Sequence, residues 1–166
     1  MRRLAAALIS LAAAGCATSG AVPQPFPAPG GPPPLPEAHR RAPESEGATL
    51  ARTALALQGV PYRNGGADPG GFDCSGLVQY VFAQHGVDVP RTVVEQYRIG
   101  SLVEHDTVRA GDLLFFNTSG ASPSHVGISI GGDEFVHAPN AAGTVRVERL
   151  GATYWRGRFV GARRLR

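Results

Sequence analysis

One cysteine and two histidines carry the chemistry this chain can offer. Cys74 sits in Gly71-Phe72-Asp73-Cys74-Ser75-Gly76-Leu77-Val78, and His125 and His137 follow on segments with strand-like patterning. A thiol at a helix start, with histidines on later strands, is the minimum set for a cysteine nucleophile and its base. A lone cysteine is by default a small buried hydrophobe, but Asp, Ser and Gly around Cys74 are the composition of a turn that opens a helix. Leu77, Val78, Val81 and Phe82 then recur at helical spacing, which predicts a helix from Cys74 to about Gln84. The positive end of its dipole and its unpaired N–H groups should favour the thiolate and lower the cysteine pKa.

The histidines can be tested against strand geometry. In His125-Val126-Gly127-Ile128-Ser129-Ile130, alternation places His125, Gly127 and Ser129 on one face and the aliphatic residues on the other. Gly131-Gly132-Asp133 has the composition of a hairpin loop. A three-residue loop pairs Ile130 with Glu134 and puts His137 on the face of His125, diagonal to it; a two-residue loop puts them on opposite faces. The small residues beside His125 should leave room for a helix terminus to approach. Named roles follow. Cys74 attacks a carbonyl carbon, His125 holds the thiol proton and returns it to the departing amine, and His137 orients His125. Asn140 competes for the third role but lies in a Pro139-Asn140 turn. Tyr62, Asp73 and Ser75 are the oxyanion or substrate-binding candidates, Tyr62 acting with the Cys74 backbone N–H. A zinc site from Cys74, His125 and His137 lacks paired ligand spacing. His39 in the linker, and His85 and His105, belong to no motif and read as surface residues.

What must deliver this domain to its substrate is written at the N-terminus. Arg2 and Arg3 precede an Ala/Leu-rich run, Leu4 to Ala14, too short to span a bilayer, so residues 1–15 read as an export signal. Ala13-Ala14-Gly15-Cys16 resembles a bacterial lipobox, although Ala13 stands where leucine is usual. Cys16 is then the lipidation site, and Ala17 resembles the pattern sent to the outer membrane, giving a cell-envelope protein tethered by its acyl chains. With Cys16 acylated no intramolecular disulfide remains, and Cys74 is a free thiol in an oxidising compartment. Residues 16–46 form a proline-rich linker: nine of the fourteen prolines lie between Ala17 and Glu46. It should favour polyproline II and could reach ~90 Å, a spacer between membrane and substrate. Removing Arg2 and Arg3 with the leader leaves fourteen arginines against thirteen acids, with no lysine. That near-neutral balance, without an RNA or DNA motif, argues against a nucleic-acid partner; Arg163, Arg164 and Arg166 read as a solvated tail.

Residues 47–166 suffice for one domain. The spacing predicts helices over Ala48–Leu57 and Arg91–Arg98 beside the Cys74 helix. Strands are predicted over Asp112–Phe116, His125–Ile130, Glu134–Ala138, Val145–Leu150 and Phe159–Arg163. Helices first and a strand meander after them argue an α+β fold with an antiparallel sheet.

Several motifs occur together in one order: Tyr62-Arg63-Asn64-Gly65-Gly66, Asp73-Cys74-Ser75-Gly76, Pro90-Arg91-Thr92 with Gln96, Gly111-Asp112-Leu113-Leu114-Phe115-Phe116, His125-Val126-Gly127-Ile128 and Phe135-Val136-His137-Ala138. This arrangement, from about Ala48 to the C-terminus, resembles the NlpC-type cell-wall cysteine peptidases. The resemblance implies a papain-like fold with N-terminal helices packed on an antiparallel β-sheet, a Cys74-His125-His137 triad, and no metal or cofactor. It also implies a peptidoglycan endopeptidase that cuts stem peptides between γ-D-Glu and meso-diaminopimelate, or crosslinks between D-Ala and meso-diaminopimelate. With the lipobox it looks most like small lipoprotein endopeptidases of the crosslink-cutting kind. The alternative is a catalytically silent lipoprotein that binds stem peptides. Pocket shape should rest on the loops Asp68–Gly71 and Asn117–Ser124, and on any regulatory protein partner.

Overall fold

The computed structural model describes residues 45–120, 123–140 and 143–165; the export signal, Cys16 and all but the end of the proline-rich linker lie outside them. Three caps set the principal helices. Ser45 Oγ accepts from the Ala48 N–H at 3.2 Å and starts α1, Glu46–Leu55. Asp73 starts α2, Cys74–Ala83, its Oδ1 accepting from the Gly76 N–H at 2.7 Å. A capping box between Thr92 and Glu95 starts α3, Val93–Tyr97. Each side-chain oxygen satisfies a backbone donor that the first helical turn cannot.

Ahead of α2 the glycine-rich loop folds back as two short antiparallel strands, β1 (Ala67–Asp68) and β2 (Gly71–Phe72). The main sheet has six: β3 (Ser101–Val103), β4 (Leu113–Phe116), β5 (His125–Gly131), β6 (Glu134–His137), β7 (Arg146–Arg149) and β8 (Phe159–Arg164). Their order is β3-β8-β4-β5-β6-β7, and every pair is antiparallel. A single-turn helix, α4 (Thr153–Arg156), joins β7 to β8. The fold is the expected α+β arrangement.

Each face of the sheet has its own core. Val126 and Ile128 of β5, Leu113 and Phe115 of β4 and Val136 of β6 meet Leu77, Val78, Val81 and Phe82 of α2. On the other face Leu114, Phe116 and Phe135 pack with Trp155 of α4 and Ala162. The unbroken apolar run Leu113-Leu114-Phe115-Phe116 is therefore buried on both sides, as such a run in a central strand should be.

Three expectations change. The helix terminus does not dock on the small-residue face of β5: α2 lies on the aliphatic face, and a Cβ added to Gly127 would meet the Phe135 ring at 2.5 Å. Its missing side chain makes room for an aromatic ring. Two of the C-terminal arginines are not a solvated tail, because Arg163 and Arg164 belong to β8; Arg166 lies outside the described residues. The Arg164 guanidinium pairs with buried Asp112, Nε to Oδ1 at 2.7 Å, and Arg163 lies over the Tyr97 ring. The β5–β6 turn also closes with two residues, Gly132 and Asp133, since Gly131 pairs with Glu134. By itself that would separate the histidines. Ile130, however, is an extra residue between the Ser129–Phe135 and Gly131–Glu134 pairs, a β-bulge that restores the parity of a three-residue loop. His137 lies opposite Gly127 in register, so His125 and His137 share a face on a diagonal.

Candidate active site

The nucleophile side is built from α2 and what holds its first turn. Cys74 is the first helical residue and is partly buried against the α2 core. Its neighbour Asp73 accepts two hydrogen bonds from Arg91: Nη1 to Oδ1 at 2.9 Å and Nη2 to Oδ2 at 2.5 Å. Arg91 Nη1 also donates to Ser75 Oγ at 2.9 Å, and Ser75 Oγ donates to Asp73 Oδ1 at 3.3 Å. Gln96 of α3, fully buried, donates from Nε2 to the Ser75 carbonyl (3.0 Å) and to the Pro90 carbonyl (2.8 Å). The helix start is thus clamped from both directions by charge-assisted and buried hydrogen bonds. Gly76 allows the loop that carries Tyr62 to lie against it: a Cβ there would stand 2.0 Å from the Gly66 carbonyl oxygen. Burial alone would raise the Asp73 pKa, but Arg91, the Gly76 N–H and Ser75 together hold it below the usual carboxylate range.

The base side is aromatic. His125 opens β5 and His137 closes β6, with His125 Nε2 and His137 Nδ1 2.8 Å apart. The His125 ring stacks on Trp155 at 5.6 Å between centroids, and the His137 ring meets the same indole edge-on at 5.0 Å. Only 6% of His125 and 1% of His137 is exposed. Because Nε2 of His125 is committed to His137, Nδ1 is the nitrogen left for the thiol. The role of a base requires Nδ1 bare, which assigns the proton to His125 Nε2 and makes it the donor to His137 Nδ1; His137 then carries its proton on Nε2.

These two sides meet where α2 begins beside β5. The backbone N–H of Val126, the residue after His125, lies near enough to the Cys74 sulfur to favour its charged form. Tyr62 is close enough for its charge to interact with Cys74, Asp73 and Arg91. Burial, then those two acids, raise its pKa against the opposing pull of Arg91, which keeps the phenol a donor, as an oxyanion contact requires.

The expected thiolate does not follow. Burial pushes the Cys74 thiol up, with the Asp73 carboxylate adding to it, and this outweighs the N–H groups of Val126, Ser75 and Cys74 itself. Burial likewise lowers His125 to about 4. His137 is lowered to about 3 by burial, by His125 and by Arg146. At neutral pH the resting pair is a neutral thiol and a neutral imidazole, and charge separates only when the sulfur attacks.

Of the remaining histidines, exposed His85 bonds to Thr53 Oγ1 at 2.8 Å, and exposed His105 sets its ring edge against Phe159; His39 lies outside the described residues. Asn140 is exposed beyond β6, while His137 holds the contact to His125. Sequence reasoning missed what Arg91, Gln96 and Trp155 do. Arg91 and Gln96 stood in a motif without a role, and the single tryptophan of the chain was the available signal for the histidine wall.

A cysteine at a helix start beside a histidine pair on an antiparallel sheet is the arrangement of a papain-like α+β domain. The NlpC/P60 family model matches residues 59–164, and the chain belongs to that family. It is 41% identical over 109 residues to a murein DD-endopeptidase/murein LD-carboxypeptidase, MepS, of Escherichia coli (strain K12), covering 65% of this chain and 57% of that protein. It is 38% identical over 120 residues to a gamma-DL-glutamyl hydrolase of Bacillus subtilis (strain 168), covering 70% of this chain and 29% of that protein. The crystal structure of the NlpC/p60 domain of the peptidoglycan hydrolase SagA superposes with a TM-score of 0.64 at 35% identity, over 72% of this chain and 99% of that one. The match thus spans little more than half of the first relative and under a third of the second.

Proposed function

We propose that this protein is a cysteine peptidase that hydrolyses an amide bond in the peptides of peptidoglycan. The observation that carries the reading is the His125–His137 hydrogen bond on one sheet face, beside the helix start that bears Cys74. In the mechanism, His125 Nδ1 takes the Cys74 proton as sulfur attacks the carbonyl carbon. The Cys74 N–H and Tyr62 hydroxyl hold the oxyanion; His125 then gives its proton to the amine as the C–N bond breaks. Water, deprotonated by His125, cleaves the thioester and restores the thiol. His137 keeps the His125 ring in the orientation and tautomer that this needs. No step requires a metal or cofactor.

The substrate assignment draws on the murein and peptidoglycan hydrolases among the relatives, and the bond is D-Ala–meso-diaminopimelate or γ-D-Glu–meso-diaminopimelate. Asp73 and Ser75 act in substrate binding through the polar rim they share with Arg91. The site of action is the cell envelope, where an acylated Cys16 and the proline-rich linker hold the domain in reach of the wall from the outer membrane. Residues 1–15 are the lipoprotein signal peptide in this reading. Labelled palmitate should enter the full chain and not the Cys16→Ser variant.

Mass analysis of purified muropeptides after incubation tests the chemistry. Cys74→Ala should abolish cleavage while leaving the circular dichroism and melting transition unchanged. Turnover equal to that of the parent, or no cleavage of crosslinked and uncrosslinked muropeptides by the parent, would sink the hydrolase reading and leave a stem-peptide binder.

A further inference from the structure

Behind the histidine pair, on the side away from the α2 core, lies a cavity of about 580 Å³ whose wall includes His137, Arg146, Glu148, Asn140, Tyr154 and Trp155. Three of these side chains bring polar atoms that nothing else among the described residues uses. His137 turns its Nδ1 to His125 on β5, so its Nε2, on the far side of the ring, points the other way, toward β7. That nitrogen is buried and has no hydrogen-bond partner among the described residues. A buried donor left unmade carries a desolvation cost that an acceptor would remove.

The register of β6 and β7 puts two opposite charges beside it. Arg146 pairs directly opposite His137 and Glu148 opposite Phe135, so the three polar side chains leave the sheet on one face. Arg146 Nε donates to Glu148 Oε1 at 2.8 Å, which leaves both Nη groups of the arginine and Oε2 of the glutamate without a partner among the described residues. The two side chains are 51% and 30% exposed, so their own pairing contributes little, and a ligand that bonds to both loses little by intruding. A guanidinium fork, a neutral imidazole N–H and a carboxylate oxygen in one cavity complement a group that is anion and cation at once. A bare anion fits less well, because Glu148 repels it.

We infer that this cavity binds an α-amino acid head group, a free carboxylate and a free ammonium on one carbon, with Arg146 and His137 Nε2–H taking the carboxylate and Glu148 the ammonium. Nε2 is sealed from solvent, so the carboxylate reaches it as the half-exposed Arg146 side chain turns to grip it. The reacting atoms lie elsewhere. Nδ1 of His125 and Nε2 of His137 stand at opposite ends of the pair, whose ring centroids are 5.0 Å apart, so the head group does not carry the leaving nitrogen. It belongs to a free amino acid or to the unreacted D-centre of a diamino acid in an uncrosslinked stem; both present the same two charges. The bound carboxylate would hold the proton on His137 Nε2, the tautomer in which Nδ1 accepts from His125. Binding does not depend on the hydrolase reading.

Titration of the full chain carrying Cys74→Ala, followed by side-chain nitrogen NMR of His137 and Arg146, tests the site without turnover. D-Alanine carries both charges, N-acetyl-D-alanine only the carboxylate and D-alaninamide only the ammonium. The zwitterion should saturate, shift His137 Nε2 and bind on the order of tenfold more tightly than either analogue. Glu148→Gln should weaken D-alanine and strengthen N-acetyl-D-alanine, since it removes the partner of one and the repulsion of the other. Arg146→Gln should weaken both, and Arg146→Lys should keep part of the binding. An uncrosslinked muropeptide and the same compound acetylated at the D-centre nitrogen separate the sources. Saturation by D-alanine shows that a free amino acid suffices, and saturation by the unacetylated muropeptide alone assigns the head group to the stem. No preference for the doubly charged form in either series, or saturable binding that leaves His137 Nε2 unmoved, would overturn the site. Failure of the parent to cut any muropeptide would instead remove the hydrolase reading and leave this preference measurable.

Discussion

The two halves of the site are held by opposite kinds of force. Around Cys74 the helix start is polar and paired: Asp73, Ser75, Arg91 and Gln96 exchange hydrogen bonds that fix where the first turn sits. Around His125 and His137 the walls are Phe116, Phe135 and Trp155, with one hydrogen bond between the imidazoles. Polar pairing is directional and fixes position; aromatic enclosure is weakly directional and acts on charge, by making the imidazolium costly. The nucleophile is therefore placed, and the base is tuned.

The comparison is broken most severely by removing the base. His125→Ala should lower kcat/KM by about 10³-fold or more, because among the described residues His125 is the side chain placed to carry the proton from sulfur to nitrogen. His137→Ala should cost about 10²-fold, since the base survives with its ring orientation lost. A single-turnover assay on purified muropeptides separates the two, and an equal loss in both would assign His137 a direct role. On the other half, Asp73→Ala removes the N-cap and leaves Arg91 without its carboxylate. It should destabilise the fold by about 1–3 kcal/mol in urea titration, with turnover reduced by misplacement of α2 and not by loss of a proton carrier.

The smallest effect sharpens the claim about tuning. Burial lowers the His125 pKa from 6.5 to about 4, so the base stays neutral above about pH 4 and activity should fall only as pH drops through that value. The unfolded chain charges this histidine already near pH 6.5. The fold consequently binds fewer protons than the unfolded state between those values, and its stability should decline as pH is lowered across that window. Trp155→Ala, which admits water to the imidazole, should move the acid limb of the pH–rate profile upward toward 6.5. An acid limb near 6.5 in the parent would show that aromatic enclosure does not set the base.

Much of this was legible in the residues, and unevenly so. Cap chemistry announced α2 through Asp73 and the periodic Leu77, Val78, Val81 and Phe82, because an N-cap and a helical stripe are local signals. The histidine strands and the α+β order were legible for the same reason. The strand β3 was not, since Ser101-Leu102-Val103 is too short for a pattern and Leu102 is largely exposed. Neither was α4, a single turn that earns its place only through Trp155 in the second core. The thiol pKa was misjudged because a helix terminus is visible in sequence while desolvation is a property of the assembled neighbours. Arg91 and Gln96 were similarly opaque: their partners Asp73, Ser75 and Pro90 lie up to 21 residues away.

The bulge at Ile130 sets which length changes this hairpin can survive. Everything inward of the Ser129–Phe135 pair is counted from that pair, not from the turn, so the tip is decoupled from the chemistry. Losing Ile130 would straighten the ladder and leave His125 and His137 facing the same way, and lengthening Gly132-Asp133 would do the same. A single residue gained or lost between His125 and Ser129, or between Phe135 and His137, would instead turn one imidazole toward the α2 core. The hairpin thus carries one spare residue, placed where descendants of this gene can insert and delete without trading a base for a buried aliphatic.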